Sequence, residues 1–242
     1  MAFSLLTYNV LFNQACDFLG QVFKDCQPDV FCLQEVETNE ANLKKIEKLG
    51  YRLADYSNSF IKFAKILGVA TYYNSKKLEF IESKTIRLPY SIYEVFLIIL
   101  RGGNRPRTVL KTDFIEKETG KKFTLYNVHF STWATNQARN RQIIETINSI
   151  DPEIIDRMPT IIAGDFNYPY GRKKFESIIK NHHFKEATNN LFFTFETKIF
   201  GLFKIKLKDD YILYRNIKLL KTKRIYFRKS DHYPIFARFE LK

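Results

Sequence analysis

Short apolar runs with strand periodicity recur along this chain, and amphipathic helical segments lie between them. This arrangement indicates an α/β fold in which mixed, mostly antiparallel sheets are covered by helices. The predicted strands lie at residues 3–10, 29–34, 69–73, 78–88, 93–100, 108–116, 122–129, 160–163, 210–214, 225–228 and 235–240. The predicted helices lie near residues 18–23, at 38–49 with a stop at Gly50, at 137–150 and near 173–180.

No feature of the sequence divides the chain into separate domains. The polar sequence KETGK at residues 117–121 lies between two predicted strands and predicts a β-hairpin. No low-complexity segment interrupts the 242 residues, and a hydrophobic content of 45% is sufficient for one large core. We therefore expect a single domain over residues 1–242.

Segments that would indicate a membrane or an oxidising compartment are not evident. The longest apolar runs, such as residues 95–100, are far shorter than the roughly 20 residues of a membrane-spanning helix. The amino terminus does not have the pattern of a signal peptide, and Cys16, Cys26 and Cys32 lack the spacing of a disulfide framework or a zinc site. We expect a soluble intracellular protein, cytoplasmic or nuclear, with the oligomeric state open and a monomer favoured.

Positive charge is concentrated towards the carboxyl terminus. The formal net charge is +13, yet residues 1–60 hold five Lys or Arg against eight Asp or Glu, whereas residues 201–242 hold twelve against four. A positive region attracts polyanions, of which nucleic acid is the commonest and anionic lipid headgroups are the main rival. A lysine-rich surface that only aids solubility explains the charge equally well.

Several predicted strands end in polar groups that can bind a metal ion or a phosphate. Strand ends on a rigid sheet can converge in one cleft, so these groups predict a functional site. They are Asn9, Gln34 and Glu35, Asn127 and His129, Asp165 and Asn167, Asp210, and finally Asp231 and His232.

Six segments, in this order, resemble the endonuclease/exonuclease/phosphatase superfamily: TYNV, DVFCLQEVE, YNVHF, GDFN, DYIL and SDHYP. The resemblance extends from Thr7 to nearly the last residue. It implies a four-layer α/β sandwich, made of two packed sheets flanked by helices, that cleaves phosphate esters with Mg²⁺ or Mn²⁺.

The resemblance also implies roles for individual residues. Glu35 corresponds to the metal-binding glutamate, and Asp165 corresponds to the aspartate that orients or deprotonates the attacking water. His232 is paired in the family with the aspartate that matches Asp210, although Asp209 is an alternative. His129 corresponds to a histidine that contacts the scissile phosphate in sphingomyelinases, inositol polyphosphate 5-phosphatases and tyrosyl-DNA phosphodiesterases of the second type. Abasic-site endonucleases have a tyrosine in this region.

The chemistry of the remaining polar residues is compatible with this assignment. Mg²⁺ prefers oxygen ligands, and Asn9 and Asp231 can add oxygens to that of Glu35. Asn167 can hold a phosphate oxygen or the water. Three further residues are expected to contact substrate: Asn127, Arg139 and Trp133. Arg139 can instead support the site beside Gln142. Trp133 can instead be a packing residue.

The substrate is left between several classes. Residues 101–111 and 204–229 combine Lys and Arg with glycines or aromatic residues, as a nucleic-acid surface requires. The sequence FTFET at residues 193–197 is similar to a segment of the tyrosyl-DNA phosphodiesterase branch. The first hypothesis is a phosphodiesterase that acts on nucleic acid, as a nuclease or on a DNA-end adduct. The alternatives are an enzyme for phosphoinositide or phospholipid headgroups, for which no membrane-inserting loop is evident, and an inactive nucleic-acid-binding module.

Overall fold

Two six-stranded mixed sheets face each other in this protein, and helices cover their outer faces. The computed structural model describes residues 2–62, 64–89, 107–132, 134–150, 157–199 and 203–241. The predicted α/β sandwich is therefore confirmed. Among the helices within these ranges, none is long and apolar enough to cross a membrane.

Along the described residues, single helices interrupt longer runs of strands. The helices are α1 (Leu19–Cys26), preceded by a 3₁₀ turn at Cys16–Phe18, α2 (Glu40–Glu47), α3 (Asn136–Asn148) and α4 (Arg172–Asn181). The strands are β1 (Ala2–Asn9), β2 (Val30–Glu37), β3 (Arg52–Lys62), β4 (Lys65–Tyr73), β5 (Leu78–Arg87), β6 (Thr108–Glu116), β7 (Lys121–His129), β8 (Thr160–Asp165), β9 (Lys185–Glu186), β10 (Phe195–Ile199), β11 (Phe203–Leu207), β12 (Asp210–Arg215), β13 (Lys218–Arg224) and β14 (Ile235–Glu240).

The two large sheets have the same internal arrangement. The first has the strand order β13-β14-β1-β2-β4-β3 and the second β5-β6-β7-β8-β12-β9. Each contains one parallel pair, β1 with β2 and β7 with β8, and its other pairs are antiparallel. A parallel pair needs a crossover connection, and α1 and α3 lie in the two crossovers. β10 and β11 form a separate two-stranded hairpin.

The space between the sheets changes from apolar to polar along the central strands. On β1 the inward positions run from Phe3 and Leu5 in the shared core to Thr7 and Asn9, and β7 runs likewise from Phe123 and Leu125 to Asn127 and His129. The outer faces pack against helices, as Leu6 of β1 does in a cluster with Leu19 and Val22. Polar groups thus collect between the sheets at the carboxyl ends of these strands.

Asn127 lies within this polar layer and ties the sheets together. Its Oδ1 accepts a hydrogen bond from Nε2 of Gln34 at 2.8 Å, and its Nδ2 donates to the carbonyl of Ala70 at 3.0 Å. The residue is fully buried. This position does not fit the substrate-binding role expected for Asn127, and it corrects that assignment to a structural one.

Edge strands account for most differences from the predicted elements. The strand predicted at 225–228 is wrong, because Ile225 and Phe227 pack in the cluster beneath α1 and the amide of Phe227 bonds back to the carbonyl of Ile225. The strand instead precedes this segment as β13, a lysine-rich edge strand without apolar alternation. The short or exposed strands β3, β9, β10 and β11 were also not predicted. The strand predicted at 93–100, the basic residues 101–106 and Trp133 lie outside the described residues.

Gly164 allows the two strands of the second parallel pair to approach. It has a φ of +146°, and a Cβ atom at this position would lie 2.0 Å from the carbonyl oxygen of Val128 on β7. No other residue type fits without displacement of the β7 backbone. The glycine therefore permits the position of the next residue, Asp165.

Gly164→Ala is expected to lower the free energy of unfolding by roughly 3 kcal/mol, because backbone strain and a steric clash add. The matched control is Gly120→Ala, since Gly120 also has a positive φ of +68° but has nothing within 4 Å of an added Cβ. Its expected loss is about 1 kcal/mol. Urea denaturation measures both losses, and equal losses would contradict this account of Gly164.

Candidate active site

The carboxyl ends of the two parallel pairs meet across the gap between the sheets. β1 ends at Asn9 and pairs it with Gln34, next to Glu35 of β2. β7 ends at His129, which is the register partner of Asp165 at the end of β8. The Nδ2 atom of Asn9 donates to Oδ2 of Asp165 at 2.9 Å and so links the two sheets at this point.

A β-bulge turns Glu35 into the gap. The pairing of β2 with β4 shifts register between Gln34 and Val36, and Glu35 has a φ of +58°. Without the bulge, the side chain would lie on the helix-covered face with Leu33. Instead Oε2 accepts a hydrogen bond from the amide of Phe12 at 3.0 Å, and Oε1 lies 3.7 Å from Nε2 of His129. Burial raises the pKa of this carboxyl group above its usual range.

Asp165 lies at the centre of the cluster. It is the register partner of His129 on one side and of Asp210 on the other. Besides the bond from Asn9, its Oδ1 accepts the backbone amide of Asn167 at 2.9 Å. Burial raises the pKa of Asp165 to about 8, and the negative charge of Asp210 adds to this effect while the positive charge of His232 opposes it.

His232 forms a hydrogen-bonded ion pair with Asp210. The distance from Nδ1 to Oδ2 of Asp210 is 2.8 Å, and Nε2 lies 3.7 Å from Oδ2 of Asp165. Burial disfavours the charged imidazole, but the carboxylates of Asp210 and Asp165 outweigh this effect and raise its pKa well above the usual value. Between the two aspartates left open by the sequence, Asp210 is thus the one bonded to His232.

Thr194 and Ser230, which the sequence did not single out, hold this side of the cleft in place. The hydroxyl of Thr194 accepts the backbone amides of both Asp209 and Asp210, at 3.1 and 2.9 Å. The hydroxyl of Ser230 lies 2.8 Å from the carbonyl oxygen of Asn9, to which it donates, and accepts the amide of His232 at 3.1 Å. Neither role could be predicted from the sequence, because each depends on contacts between segments that are distant along the chain.

Asp231 and Asp209 border the cluster. Oδ1 of Asp231 lies 4.0 Å from Nε2 of His232 and 3.3 Å from the hydroxyl of Ser230, and its side chain is partly exposed. Asp209 is buried, and its carbonyl accepts the amide of Phe166 at 2.8 Å. Burial raises the pKa of Asp209 to about 6, although the positive charge of His232 opposes the shift.

Arg107 contacts His129 on the side away from the carboxylates. The NH1 atom of its guanidinium lies 3.2 Å from Nδ1 of His129. Burial, followed by the positive charge of Arg107, lowers the pKa of His129 well below its usual value. The sequence placed Arg107 in a basic segment near the cleft but gave no sign of this contact.

Arg139 and Asn167 hold the loops that follow β7 and β8. The guanidinium of Arg139 donates to the carbonyls of Ser131 at 3.0 Å and Thr132 at 2.7 Å. Nδ2 of Asn167 donates to the carbonyl of Phe130 at 3.1 Å. For Arg139, these contacts favour the supporting role, one of the two roles that the sequence left open, over the phosphate clamp.

The donor atoms near Glu35 suit a hard divalent cation. The carboxylate is buried and its Oε1 atom faces the cleft. Oδ1 of Asn9 accepts the backbone amide of Leu11 at 3.0 Å and keeps a second lone pair, while its Nδ2 donates to Asp165. Carboxylate and amide oxygens are the ligands that Mg²⁺ prefers, and a cation here would relieve the desolvation that raises the pKa of Glu35. The residues present therefore fit such an ion.

A second set of possible ligands suits a metal less well. Asp165, Asp210 and His232 place ligand atoms within 4.8 Å of one another. However, Oδ2 of Asp210 is already bonded to Nδ1 of His232, and the surrounding carboxylates raise the pKa of the ring, which opposes the loss of the proton that metal binding needs. With this hydrogen bond in place, the three side chains form a cluster of one imidazole and two carboxyl groups.

Comparisons with known proteins define the class to which this site belongs. A sequence model of the Endonuclease/Exonuclease/phosphatase family matches residues 6–232. The chain therefore belongs to the Endonuclease/Exonuclease/phosphatase family, which supports a phosphoesterase-type enzyme. An uncharacterised protein of Acanthamoeba polyphaga mimivirus is 29% identical over 139 residues, which are 55% of this chain and 47% of that protein. The match thus spans about half the length of this curated relative.

Solved structures share the fold over the full length of the chain. An endonuclease/exonuclease/phosphatase from Bacteroides vulgatus has a TM-score of 0.78 at 19% identity and covers 100% of both chains. The human Nocturnin catalytic domain with a bound sulfate anion has a TM-score of 0.77 at 16% identity, with 100% of this chain and 95% of that chain covered. TDP2 from D. rerio, in complex with a single strand DNA product, has a TM-score of 0.73 at 18% identity and covers 99% of each chain.

Proposed function

We propose that this protein is a Mg²⁺-dependent phosphodiesterase that hydrolyses phosphate esters in nucleic acid, as a nuclease or on a modified DNA end. The observation that carries the proposal is the meeting of four ionisable side chains in one cleft. Nε2 of His129 lies 3.7 Å from both Glu35 and Asp165, and Nε2 of His232 lies 3.7 Å from Asp165. A carboxylate for a cation, a base and two imidazoles are the groups that phosphate ester hydrolysis requires.

Each side chain is assigned a role that its contacts permit. Asp165 orients and deprotonates the attacking water, because a raised pKa of about 8 places it near neutral pH, where a general base is most effective. The bond from Asn9 fixes the direction of its carboxylate. His232 is charged and held by Asp210, and it contacts a phosphate oxygen. His129 contacts another phosphate oxygen through Nε2. Asn167 lies beside Asp165 and positions the water.

Glu35 and Asn9 would hold the cation, with Asp231 beside His232 as a further oxygen donor. Mg²⁺ bound there would supply Lewis-acid polarisation of the phosphate and charge compensation, and Mn²⁺ is the alternative ion. The chain's own contribution is to keep Glu35 buried and directed inward, which the bulge of β2 achieves.

A basic and aromatic surface beside His232 supports nucleic acid as the substrate. We define the strand-binding surface as residues 193–199 and 203–207 together with residues 224–229. The β10–β11 hairpin within it adjoins the site directly, because Phe195 forms a β-bridge with His232 and their ring centroids are 4.9 Å apart. An ion pair of 3.0 Å between Arg228 and Glu196 joins the two parts of the surface.

Cations and aromatic rings alternate across this surface. The guanidinium carbon of Arg224 lies 3.7 Å from the ring centroid of Phe193 and 4.5 Å from that of Tyr226, and Nζ of Lys206 lies 4.5 Å from Phe193. Tyr226 is 79% exposed and Phe203 is 69% exposed. Exposed rings allow bases to stack while the cations hold the backbone, which is the usual design of a single-strand binding surface. An anionic lipid surface would use the cations but not the stacking.

Asp165→Asn is expected to lower kcat by about 1,000-fold, because the water loses its base while the side chain keeps its size and shape. With Mg²⁺ present, the wild-type protein should cleave single-stranded DNA, duplex DNA or a 5′-tyrosyl oligonucleotide in preference to inositol polyphosphate or sphingomyelin, and chelation of the metal should abolish the activity. Asp17→Asn is the matched control, since Asp17 is a surface residue paired with Lys45.

The other outcomes of this substrate panel distinguish the alternatives. Cleavage of the inositol or lipid substrates alone would replace nucleic acid with a headgroup as the substrate. An inert protein that still binds DNA at low salt would be the inactive binding module instead.

Tyr226→Ala and Lys206→Met are each expected to weaken single-stranded DNA binding roughly tenfold, because one loses a stacking partner and the other a phosphate contact. Fluorescence anisotropy in the Asp165→Asn background measures binding without cleavage. The controls are Tyr56→Ala on the opposite edge strand β3 and Lys122→Met at the far end of β7. Equal effects in all four variants would show that binding does not depend on the proposed surface.

A further inference from the structure

The contact between Arg107 and His129 determines which ring nitrogen of His129 carries a proton. All the nitrogens of a guanidinium are donors and none accepts. NH1 of Arg107 lies 3.2 Å from Nδ1 of His129, so Nδ1 must be the acceptor. A neutral ring then has its proton on Nε2.

This Nε2–H group has no acceptor within the described residues. Two carboxylate oxygens, Oε1 of Glu35 and Oδ2 of Asp165, are both 3.7 Å away, which is too far for a hydrogen bond. The side chain of His129 is 1% exposed, so bulk water does not satisfy the group either. A buried donor without a partner is costly unless a ligand completes it.

The surroundings of Arg107 hold the guanidinium against His129. Its guanidinium carbon lies 4.6 Å from the ring centroid of Phe60, and Phe60 makes an edge contact with the His129 ring at 5.7 Å between centroids. The carbonyl of Arg107 accepts the amide of Leu88 at 2.9 Å, which fixes the backbone at the start of β6. Phe60 thus packs against both members of the pair.

We infer that Arg107 is a positioning residue that keeps His129 as the Nε2–H tautomer, so that Nε2 donates a hydrogen bond to a non-bridging phosphate oxygen of the substrate. The inference rests on the proposed function for the identity of the acceptor. The tautomer itself follows from the contact with Arg107 alone. In the opposite tautomer, Nε2 would present a lone pair to an anionic oxygen and repel it.

The tautomer is measured directly by long-range ¹H–¹⁵N correlation spectra of the ¹⁵N-histidine-labelled protein. The chain has four histidines, so single substitutions assign every signal. The wild-type protein and Arg107→Lys, which keeps a cationic donor, should show His129 with its proton on Nε2. Arg107→Met, which keeps much of the packing on Phe60, should show a population with the proton on Nδ1. Inorganic phosphate should shift the Nε2–H signal in the first two proteins and not in the third.

Kinetics give a second measure of the same role. Arg107→Met should lower kcat on the nucleic-acid substrate about 100-fold, as expected for loss of a donor to the reacting phosphate, and should change KM by less than about threefold. Arg107→Lys should recover activity to within about tenfold of the wild type. Lys122→Met, which removes an exposed cation at the end of β7 remote from His129, is the control and should leave kcat unchanged.

The two measurements separate failure of this inference from failure of the proposed function. If His129 keeps its proton on Nε2 in the folded Arg107→Met protein, or carries it on Nδ1 in the wild type, the inference is overturned whatever the activity. If no substrate is cleaved while the tautomer responds to Arg107 as described, the proposed function fails and the positioning role remains. A shift of the tautomer with no loss of kcat overturns the role of the Nε2 donor in hydrolysis.

Discussion

The central parallel pair of each sheet fixes where the candidate active site lies. Parallel strands end at the same edge, so β1 and β2 deliver Asn9 and Glu35 together, and β7 and β8 deliver His129 and Asp165 together. The shared apolar core sets the distance between the sheets, and these two edges then face each other across it. The antiparallel strand β12 and the loop before β14 add Asp210 and His232 beside Asp165.

Burial of so many ionisable groups opposes folding, and the contacts around them offset part of this effect. The pKa of Asp165 rises from 3.8 in a model peptide to about 8 in the protein. Its contribution to stability therefore falls as the pH rises between these values, because the folded state holds the proton more tightly than the unfolded state. The amide of Asn9 and the charge of His232 favour the ionised form, and a cation beside Glu35 would favour it further.

The polar strand ends could be predicted from the sequence because each follows an apolar run directly. Their depth could not. Asn127 and His129 lie two residues apart on the same face of β7, yet Asn127 is held between the sheets by Gln34 and Ala70, whereas His129 borders the cleft. The packing of the second sheet on the first determines the depth of each residue, and the sequence of a single strand does not show how the sheets pack. The contact of Arg107 with His129 and that of Thr194 with the Asp209 and Asp210 amides are likewise missing from any local pattern.

Lysine-rich edge strands such as β13 could not be predicted from apolar alternation, because only one of their sides is paired.

We propose that a cation held by Glu35 and a phosphate held by the two histidines share one cleft. Anomalous diffraction from crystals soaked with Mn²⁺ locates the ion without reference to any substrate or activity. The account predicts a single strong peak roughly 2 Å from a carboxylate oxygen of Glu35. A peak bound only by Asp165, Asp210 and His232, or one remote from the cleft, would contradict it.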